Sequence, residues 1–295
     1  MPDFWTHIIA GEEIVEEIED SKLKELLKNN YQLFNFGCQG ADFFFYHNFW
    51  PWHKSEKGPK KGDLVHQLSG KKLFVEVLTA FKREGVYHNR ELPAEVYWQQ
   101  NIVYLTGFIS HFALDRACHP YIIENGGAGE KHKLIEAAAD IYLMEKKWNQ
   151  NPARVNPHPY YQLREEHTEN LDFFYQQLFG SVIEEKLDSS LIWDSYLDLR
   201  KYHQFFYAKG AGKYYLLKSL NFVLPQDLRQ HCYALNKPQK VWPKNNFQQF
   251  EEKYNKGVES ALELIEQTLL YFDSELSLTE VLKSYGDLNF VGEKV

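Results

Sequence analysis

The chain has 295 residues, which is enough for one large hydrophobic core or two modest ones. Its composition, 44% hydrophobic and 25% charged, excludes a disordered or fibrous protein. The net charge is −8 and no basic stripe is present, which argues against a protein that binds the phosphate backbone of double-stranded nucleic acid. We therefore expect a globular protein whose partners are not nucleic acid duplexes.

Cysteine usage and hydropathy bear on the compartment. Cys38, Cys118 and Cys232 are scattered and form no CxxC pair, which fits a reducing environment. The first ten residues lack basic residues and meet acids soon afterwards, so we expect no signal peptide. No apolar run approaches the roughly 18 residues that cross a bilayer. We expect a cytoplasmic protein with no transmembrane segment, and the sequence does not indicate its oligomeric state.

Apolar residues recur mostly at three- and four-residue steps, which is typical of amphipathic helices. Long alternating strands are absent from the sequence. We predict an all-α protein, a single large multi-helical domain. Its predicted helical segments, of which the first forms one or two helices, are 7–28, 63–84, 93–120, 131–147, 160–180, 197–222 and 246–272.

A polar stretch at 148–159 contains three prolines, which helices do not cross easily. This stretch is the predicted internal seam. We predict a helical core in residues 1–148 that carries the candidate functional residues. Residues 149–295 are predicted to form a helical extension that packs on this core, within the same domain, and covers its cleft.

His111, Asp115 and His119 follow one another at four-residue steps on one predicted helix. At about 3.6 residues per turn all three face the same way, but the two histidines are about 12 Å apart along the axis. Zinc–nitrogen bonds are only about 2 Å long, so a single ion cannot bind both histidines. The spacing therefore predicts at least two metal ions with Asp115 between them.

His132 and Glu136, four residues apart on the next predicted helix, form a second chelating pair. The glycine-rich loop 125–129 can turn the chain back, so that this pair faces His119 and the three side chains share an ion. A single His–Asp pair on a helix is more often a surface or capping pair. Five such residues among small apolar neighbours are different, because burying them unpaired costs several kcal/mol each. Metal binding is therefore the favoured interpretation.

The combination His111-x3-Asp115-x3-His119-Pro-Tyr, followed by His132-x3-Glu136, resembles the bacterial zinc-dependent phospholipase C family, which is related in fold to the S1/P1 nucleases. Three earlier segments are similar to family segments and come in the family's order. They are Thr6-His7, Gly40-Ala-Asp42-Phe-Phe-Phe-Tyr46, which is similar to the family's Gly-x-x-Asp-Phe segment, and 62–66, which ends in a histidine. The resemblance covers about residues 1–145.

The resemblance implies an all-helical fold of the phospholipase C and P1 nuclease type that holds three zinc ions in a cleft. For this chain we expect two to three. Another divalent transition metal remains an alternative to zinc. By position, one ion would be held by Asp42, His66, His111 and Asp115. A second would be held by His119, His132 and Glu136.

Asp115 would bridge to a third ion, shared with His7. In secreted family members the processed N-terminal residue also binds this ion, so here either Asp3 substitutes or the third site is empty. His47 and His53 are nearer alternatives to His66. We prefer His66 because it begins an apolar-periodic helix.

The implied activity is phosphodiester hydrolysis, in which a water molecule attacks phosphorus. Asp42 would be catalytic, by accepting or orienting the proton of that water. The expected substrate is an anionic phosphodiester such as a phospholipid. Two alternatives stay open: a metal-binding scaffold or regulatory protein without turnover, and a nuclease-like phosphodiesterase, which the missing basic groove disfavours.

Two further interpretations concern the surroundings of the predicted cluster. Asp140 is a candidate to orient a metal-binding histidine, although a solvated acid is the favoured interpretation. An aromatic group can line a substrate wall or simply form core. It consists of Phe43, Phe44, Phe45, Tyr46, Trp50 and Trp52.

Overall fold

Helices make up most of the computed structural model, which describes residues 3–50, 55–84, 94–127, 129–183, 187–207, 211–220, 233 and 238–295. The α-helices are α1 (Phe4–Glu17), α2 (Ser21–Asn29), α3 (Tyr31–Gly37), α4 (Lys57–His66), α5 (Gly70–Glu84), α6 (Ala94–Gly126), α7 (Glu130–Trp148), α8 (His167–Gln177), α9 (Ser189–Phe206), α10 (Ala211–Leu220), α11 (Pro238–Val241), α12 (Lys244–Phe272) and α13 (Leu278–Tyr285). Short 3₁₀ turns cover Asp42–Tyr46, Pro152–Arg154 and His158–Tyr160, and a π-helical turn covers Leu178–Val182.

The all-α prediction is confirmed. In the described part of the chain the β-type pairing consists of one isolated bridge, between Leu288 and Lys294. Among the same residues, no helix has the length and apolar character that crossing a bilayer would require.

Several helix boundaries differ from the predicted ones. The segment 63–84 was predicted as one helix, but α4 ends at His66 and α5 begins at Gly70. Residues 161–166 are not helical, and the predicted segment 197–222 contains parts of two helices. Helix α13 was missed, although a capping box of Ser277 and Glu280 marks its start. Short helices carry little periodicity, so capping signals matter more for them.

Helix α6 lies at the centre of the structure and contacts α1, α3, α7, α8 and α12. It continues through Pro120, beyond the predicted end. The crossing with α3 depends on two glycines. A Cβ atom on Gly107 would lie 2.3 Å from the carbonyl oxygen of Phe34, and one on Gly37 would lie 2.6 Å from that of Tyr104. The two backbones therefore touch, which brings the turn after α3 against the middle of α6.

The hydrophobic core contains residues from both sides of the predicted seam. Helix α12 contributes a buried stripe that includes Phe250, Tyr254, Ala261 and Leu264, and this helix packs along α6. The seam itself contains the two short turns after α7. The assignment of 1–148 and 149–295 to core and extension stays a prediction.

Candidate metal centre

The eight predicted ligands come from five elements that meet around α6. Helix α6 supplies three of them, while α1, α4, α7 and the 3₁₀ turn Asp42–Tyr46 supply the others. Most of these side chains are buried, and His66 and His132 are partly exposed. The structure brings together His7, Asp42, His66, His111, Asp115, His119, His132 and Glu136. Their roles as metal ligands stay a prediction.

Asp115 lies at the centre of this group. Its Oδ2 is 3.5 Å from Nε2 of His111 and 3.7 Å from Nδ1 of His119. Both contacts join residues four apart on α6, where successive side chains lie above one another. The structure therefore has the placement that the spacing predicted, with one carboxylate between two histidines.

The first candidate group contains His66, His111 and Asp115, whose donor atoms all lie within 4.8 Å of one another. Asp42 lies beside it, with Oδ1 3.1 Å from Nε2 of His66 and 3.8 Å from Nε2 of His111. These four residues are the ones that the family resemblance assigns to one ion.

Gly40 sets the approach of the Asp42 turn to α6. Its φ is +54°, and a Cβ atom there would lie 2.0 Å from Cδ2 of His111. Only glycine reaches this left-handed conformation without strain and leaves room for the ring. The carbonyl oxygen of Gly40 accepts a hydrogen bond of 2.8 Å from the Tyr175 hydroxyl. The turn that carries Asp42 is thus fixed against His111.

His7 of α1 approaches the same centre from another side. Its Nε2 is 3.3 Å from Oδ1 of Asp115, and its ring centroid is 4.5 Å from that of His111. His7, Asp42 and His111 form a further group whose donor atoms lie within 4.8 Å. Asp3 is in none of the candidate groups of the described residues. Its carboxylate instead accepts a hydrogen bond from the backbone N–H of Phe4.

Asp140 corrects one expectation, because it is not a solvated acid. It is fully buried and accepts hydrogen bonds of 2.8 Å from the backbone N–H groups of both Trp5 and Thr6. The Thr6 hydroxyl donates a further one of 2.6 Å. Burial raises the pKa of Asp140 well above its usual value, and the nearby Asp3 acts in the same direction. Asp140 therefore anchors the first turn of α1, which carries His7.

The second candidate group contains His119, His132 and Glu136. Oε1 of Glu136 is 2.7 Å from Nε2 of His132 and 3.9 Å from Nε2 of His119. Lys133 lies 2.9 Å from Oε2 of Glu136. Although burial acts to raise the pKa of Glu136, the Lys133 ammonium and the His132 hydrogen bond hold it well below its usual value. The loop after α6 thus turns the pair towards His119, as predicted.

Backbone carbonyls orient three of the histidine rings. Nδ1 of His66 is 2.7 Å from the Gly62 oxygen, and Nδ1 of His132 is 2.8 Å from the Gly127 oxygen. Nδ1 of His119 lies 3.2 Å from the oxygen of Phe290. Since a carbonyl only accepts, each Nδ1 carries a proton, and Nε2 is the nitrogen that would bind a metal. These partners are not predictable from the sequence, because any residue can supply a backbone carbonyl.

The unsatisfied polar atoms at the centre fit a bound cation. Both ring nitrogens of His7, both of His111 and both carboxylate oxygens of Asp115 are buried, and none has a hydrogen bond within the described residues. Burial lowers the pKa of His111 well below its usual value, and the neighbouring His7 adds to this, so the ring is neutral. Neutral imidazoles and carboxylates are the donors that zinc prefers. These residues can therefore hold metal.

Of the rival candidates for the first group, His47 lies outside it. His47 is buried beside the side-chain amide of Asn48 and joins none of the candidate groups. His53 and Trp52 lie outside the described residues. Phe43 and Phe44 stack at 4.3 Å inside the core, so the core interpretation holds for both of them.

The helical fold and the buried histidine–carboxylate groups define an all-α protein with a candidate metal centre. The profile of the zinc-dependent phospholipase C family matches residues 6–188, more than half of the chain and beyond the 1–145 of the sequence resemblance. The chain belongs to this family. No curated protein and no solved structure matches the chain significantly.

Proposed function

We propose that the protein is a zinc-dependent phosphodiester hydrolase of the phospholipase C type, with two to three ions in the centre around Asp115. The family supports zinc and hydrolysis. The observation that carries the proposal is the position of Asp115, whose two oxygens lie 3.3 Å from His7 and 3.5 Å from His111. A single carboxylate between histidines of different helices suits a bridge between ions.

The donor atoms suggest how the ions are shared. Asp42, His66, His111 and Asp115 would hold one ion, and His119, His132 and Glu136 a second. Asp115 would also reach a third ion at His7. In support, each proposed set contains donor atoms that already lie within 4.8 Å of one another or at ion-pair distance.

The reaction would be in-line attack of water on phosphorus. Bound zinc supplies Lewis acidity, which polarises phosphate oxygens and lowers the pKa of water towards about 7. Asp42 would accept or orient the proton of the attacking water, since its carboxylate is only slightly exposed and lies 3.1 Å from His66. The histidines, each held neutral or oriented by its surroundings, would keep the ions at fixed positions.

The proposed substrate is an anionic phosphodiester, a phospholipid in the first instance, which would release a phosphorylated head group. With zinc bound, the divalent charges exceed those of Asp42, Asp115 and Glu136, so the centre attracts an anion despite the net charge of −8. The cytoplasmic location, expected from the scattered cysteines, stays a prediction.

Metal content and hydrolysis together test the proposal. Elemental analysis of tag-free protein should give two to three zinc ions per chain, fewer in His119→Ala, and the wild-type content in a His158→Ala control. Zinc-loaded wild type should release phosphorylated head group from phosphatidylcholine vesicles, whereas Asp42→Asn should retain most of the metal and lose turnover. Protein that binds no zinc would contradict the proposal.

The same samples separate the two alternatives. A metal-binding scaffold would hold zinc in the wild type without hydrolysing vesicles, a soluble chromogenic phosphodiester or single-stranded DNA. A nuclease-like enzyme would cleave the DNA in preference to the vesicles. Cleavage of the vesicles that disappears with a chelator and returns with zinc is the result that we expect.

A further inference from the structure

The C-terminal segment 286–295 folds back onto the candidate metal centre. The side chain of Phe290 is fully buried. Its ring centroid lies 4.6 Å from that of His66 and 5.6 Å from that of His111. One residue close to the chain's C-terminal end therefore packs on two candidate ligands of the first group.

The backbone of the same residue reaches the second group. The carbonyl oxygen of Phe290 lies 3.2 Å from Nδ1 of His119 and can only accept a hydrogen bond from it. This contact leaves Nε2 of His119 on the side of Glu136, whose Oε1 is 3.9 Å away. Without it, Nδ1 could instead turn to Oδ2 of Asp115, which is 3.7 Å from it.

The segment is held in place by a compact set of hydrogen bonds. At the start of α5, the N–H of Gly70 donates to the carbonyl of Leu288 and that of Lys71 to the carbonyl of Gly286. Both hydrogen bonds are 2.9 Å long. The side chain of Asn289 closes the turn around Phe290. Its Oδ1 accepts from the N–H of Val291 at 3.1 Å and from that of Glu293 at 2.9 Å. Asn289 is buried, so the turn has little access to water that could replace these bonds.

We propose that segment 286–295 is a positioning element of the metal centre, in which Phe290 fixes the tautomer and orientation of His119 and packs the rings of His66 and His111. This inference rests on the proposed binding of metal. The segment lies outside the family match, which ends at residue 188. The element is therefore not part of the family pattern that identified the ligands.

The physical reason is the need for a fixed imidazole. A metal-binding histidine with a hydrogen-bonded second nitrogen presents one lone pair in one direction, and losing that partner typically weakens metal binding about 10- to 100-fold. A backbone oxygen cannot be substituted directly, so the contact of the Phe290 carbonyl is tested by substituting Asn289, which holds the turn around it. Asn289→Ala removes both turn bonds, while Asn289→Asp keeps an acceptor oxygen.

Zinc titration against a competing chelator measures the effect without any substrate. We expect Asn289→Ala to lower the affinity for one of the zinc ions by about 10- to 100-fold, and Asn289→Asp to recover much of this loss. The matched control is Ser277→Ala, which removes the cap of α13 in the same part of the chain but touches no candidate ligand. Equal zinc affinities in wild type and Asn289→Ala would overturn this inference but leave the proposed function standing. A wild type that binds no zinc would overturn the proposed function as well.

A second measurement is made on the wild-type protein, and a variant serves only to assign the signal. In zinc-loaded wild type, histidine ring nitrogen NMR should show His119 protonated at Nδ1, with Nε2 bound to metal, and His119→Gln identifies the signal. A metal-bound Nδ1 on His119 would overturn the positioning role of the Phe290 carbonyl.

Discussion

Oδ1 of Asp115 lies 3.3 Å from Nε2 of His7, although the two residues belong to helices far apart in the chain. Oδ2 of the same carboxylate lies 3.5 Å from Nε2 of His111. Asp115 is also completely buried. A single buried carboxylate thus faces histidines on both sides, which sets it apart from the ligands that lie at the edge of the centre.

Replacing Asp115 should therefore remove more than one ion. In Asp115→Asn the carboxamide has one oxygen and an N–H₂ group, so it cannot bridge two cations. We expect more than one zinc to be lost per chain. The zinc affinity should fall by more than about 100-fold, the upper end of the loss typical when a hydrogen-bond partner of a ligand is removed. Elemental analysis after dialysis measures this. His132→Ala, at the edge, should lose about one ion, and equal losses in the two variants would contradict a bridge.

Gly40 offers a test of how the Asp42 turn is placed. Gly40→Ala should cost about 1–2 kcal/mol of backbone strain, since φ is +54°. The new methyl group would also meet the His111 ring, and such overpacking typically costs about 1–3 kcal/mol. We expect lower stability in urea unfolding together with weaker zinc binding, because both the Asp42 turn and His111 must move.

Gly129→Ala is the matched control for that substitution. Its φ is +81°, but a Cβ atom there has no neighbour within 4 Å among the described residues, apart from those adjacent in the chain. It should lose stability through backbone strain while zinc affinity at the group of Asp42 and His111 stays at the wild-type value. If the two alanine variants bind zinc equally well, the Gly40 contact does not shape the centre.

The parts of the centre that could be predicted are those that helix geometry sets locally. His111, Asp115 and His119 share a face because four residues are close to one helical turn, and the same holds for His132 and Glu136. The order of the remaining segments came from the family resemblance. Asp42 and His66, which that resemblance assigns to one ion, lie 3.1 Å apart.

The parts that were missed are long-range contacts with backbone atoms. Nothing in the sequence near His119 indicates that the Phe290 carbonyl accepts a hydrogen bond from its Nδ1. Asp140 is a candidate to orient a ligand because it follows Glu136 by one helical turn, but the sequence favours a solvated acid there. Its partners are N–H groups of α1, at the other end of the core region. A helix N-terminus has unpaired N–H groups, but the sequence does not say which acid will reach them.

Asp140 should matter for both stability and the His7 side of the centre. Asp140→Ala leaves the N–H groups of Trp5 and Thr6 buried without an acceptor, which typically costs about 1–3 kcal/mol for each group left unpaired. We expect a lower free energy of unfolding in urea and a reduced zinc content, because α1 carries His7.

Asp188→Ala controls for the loss of an ordinary helix cap. Asp188 caps α9 through the N–H of Ser190, and its side chain is exposed. It should cost about 1 kcal/mol and leave the zinc content unchanged. Equal effects on zinc in the two variants would show that Asp140 acts on stability alone.

His203 gives a pH dependence that is separate from the metal centre. It is buried, with Nδ1 2.7 Å from the Tyr161 hydroxyl, and burial lowers its pKa to about 3. The ordinary histidine pKa is about 6.5, so between these values the unfolded chain binds a proton that the folded chain does not. Stability is therefore lost as the pH falls below about 6.5. For metal-free protein this amounts to about 2 kcal/mol between pH 7 and pH 5.

His203→Gln isolates that contribution. The glutamine oxygen can accept the hydrogen bond from Tyr161 but has no proton to gain in this range. His167, whose pKa burial lowers to about 4, is present in both proteins, so its effect cancels in the comparison. Urea unfolding of both metal-free proteins at pH 7 and pH 5 should show the wild type losing about 2 kcal/mol more than the variant. Parallel losses would mean that folding does not change the proton affinity of His203, because only a group with different proton affinities in the two states makes stability depend on pH.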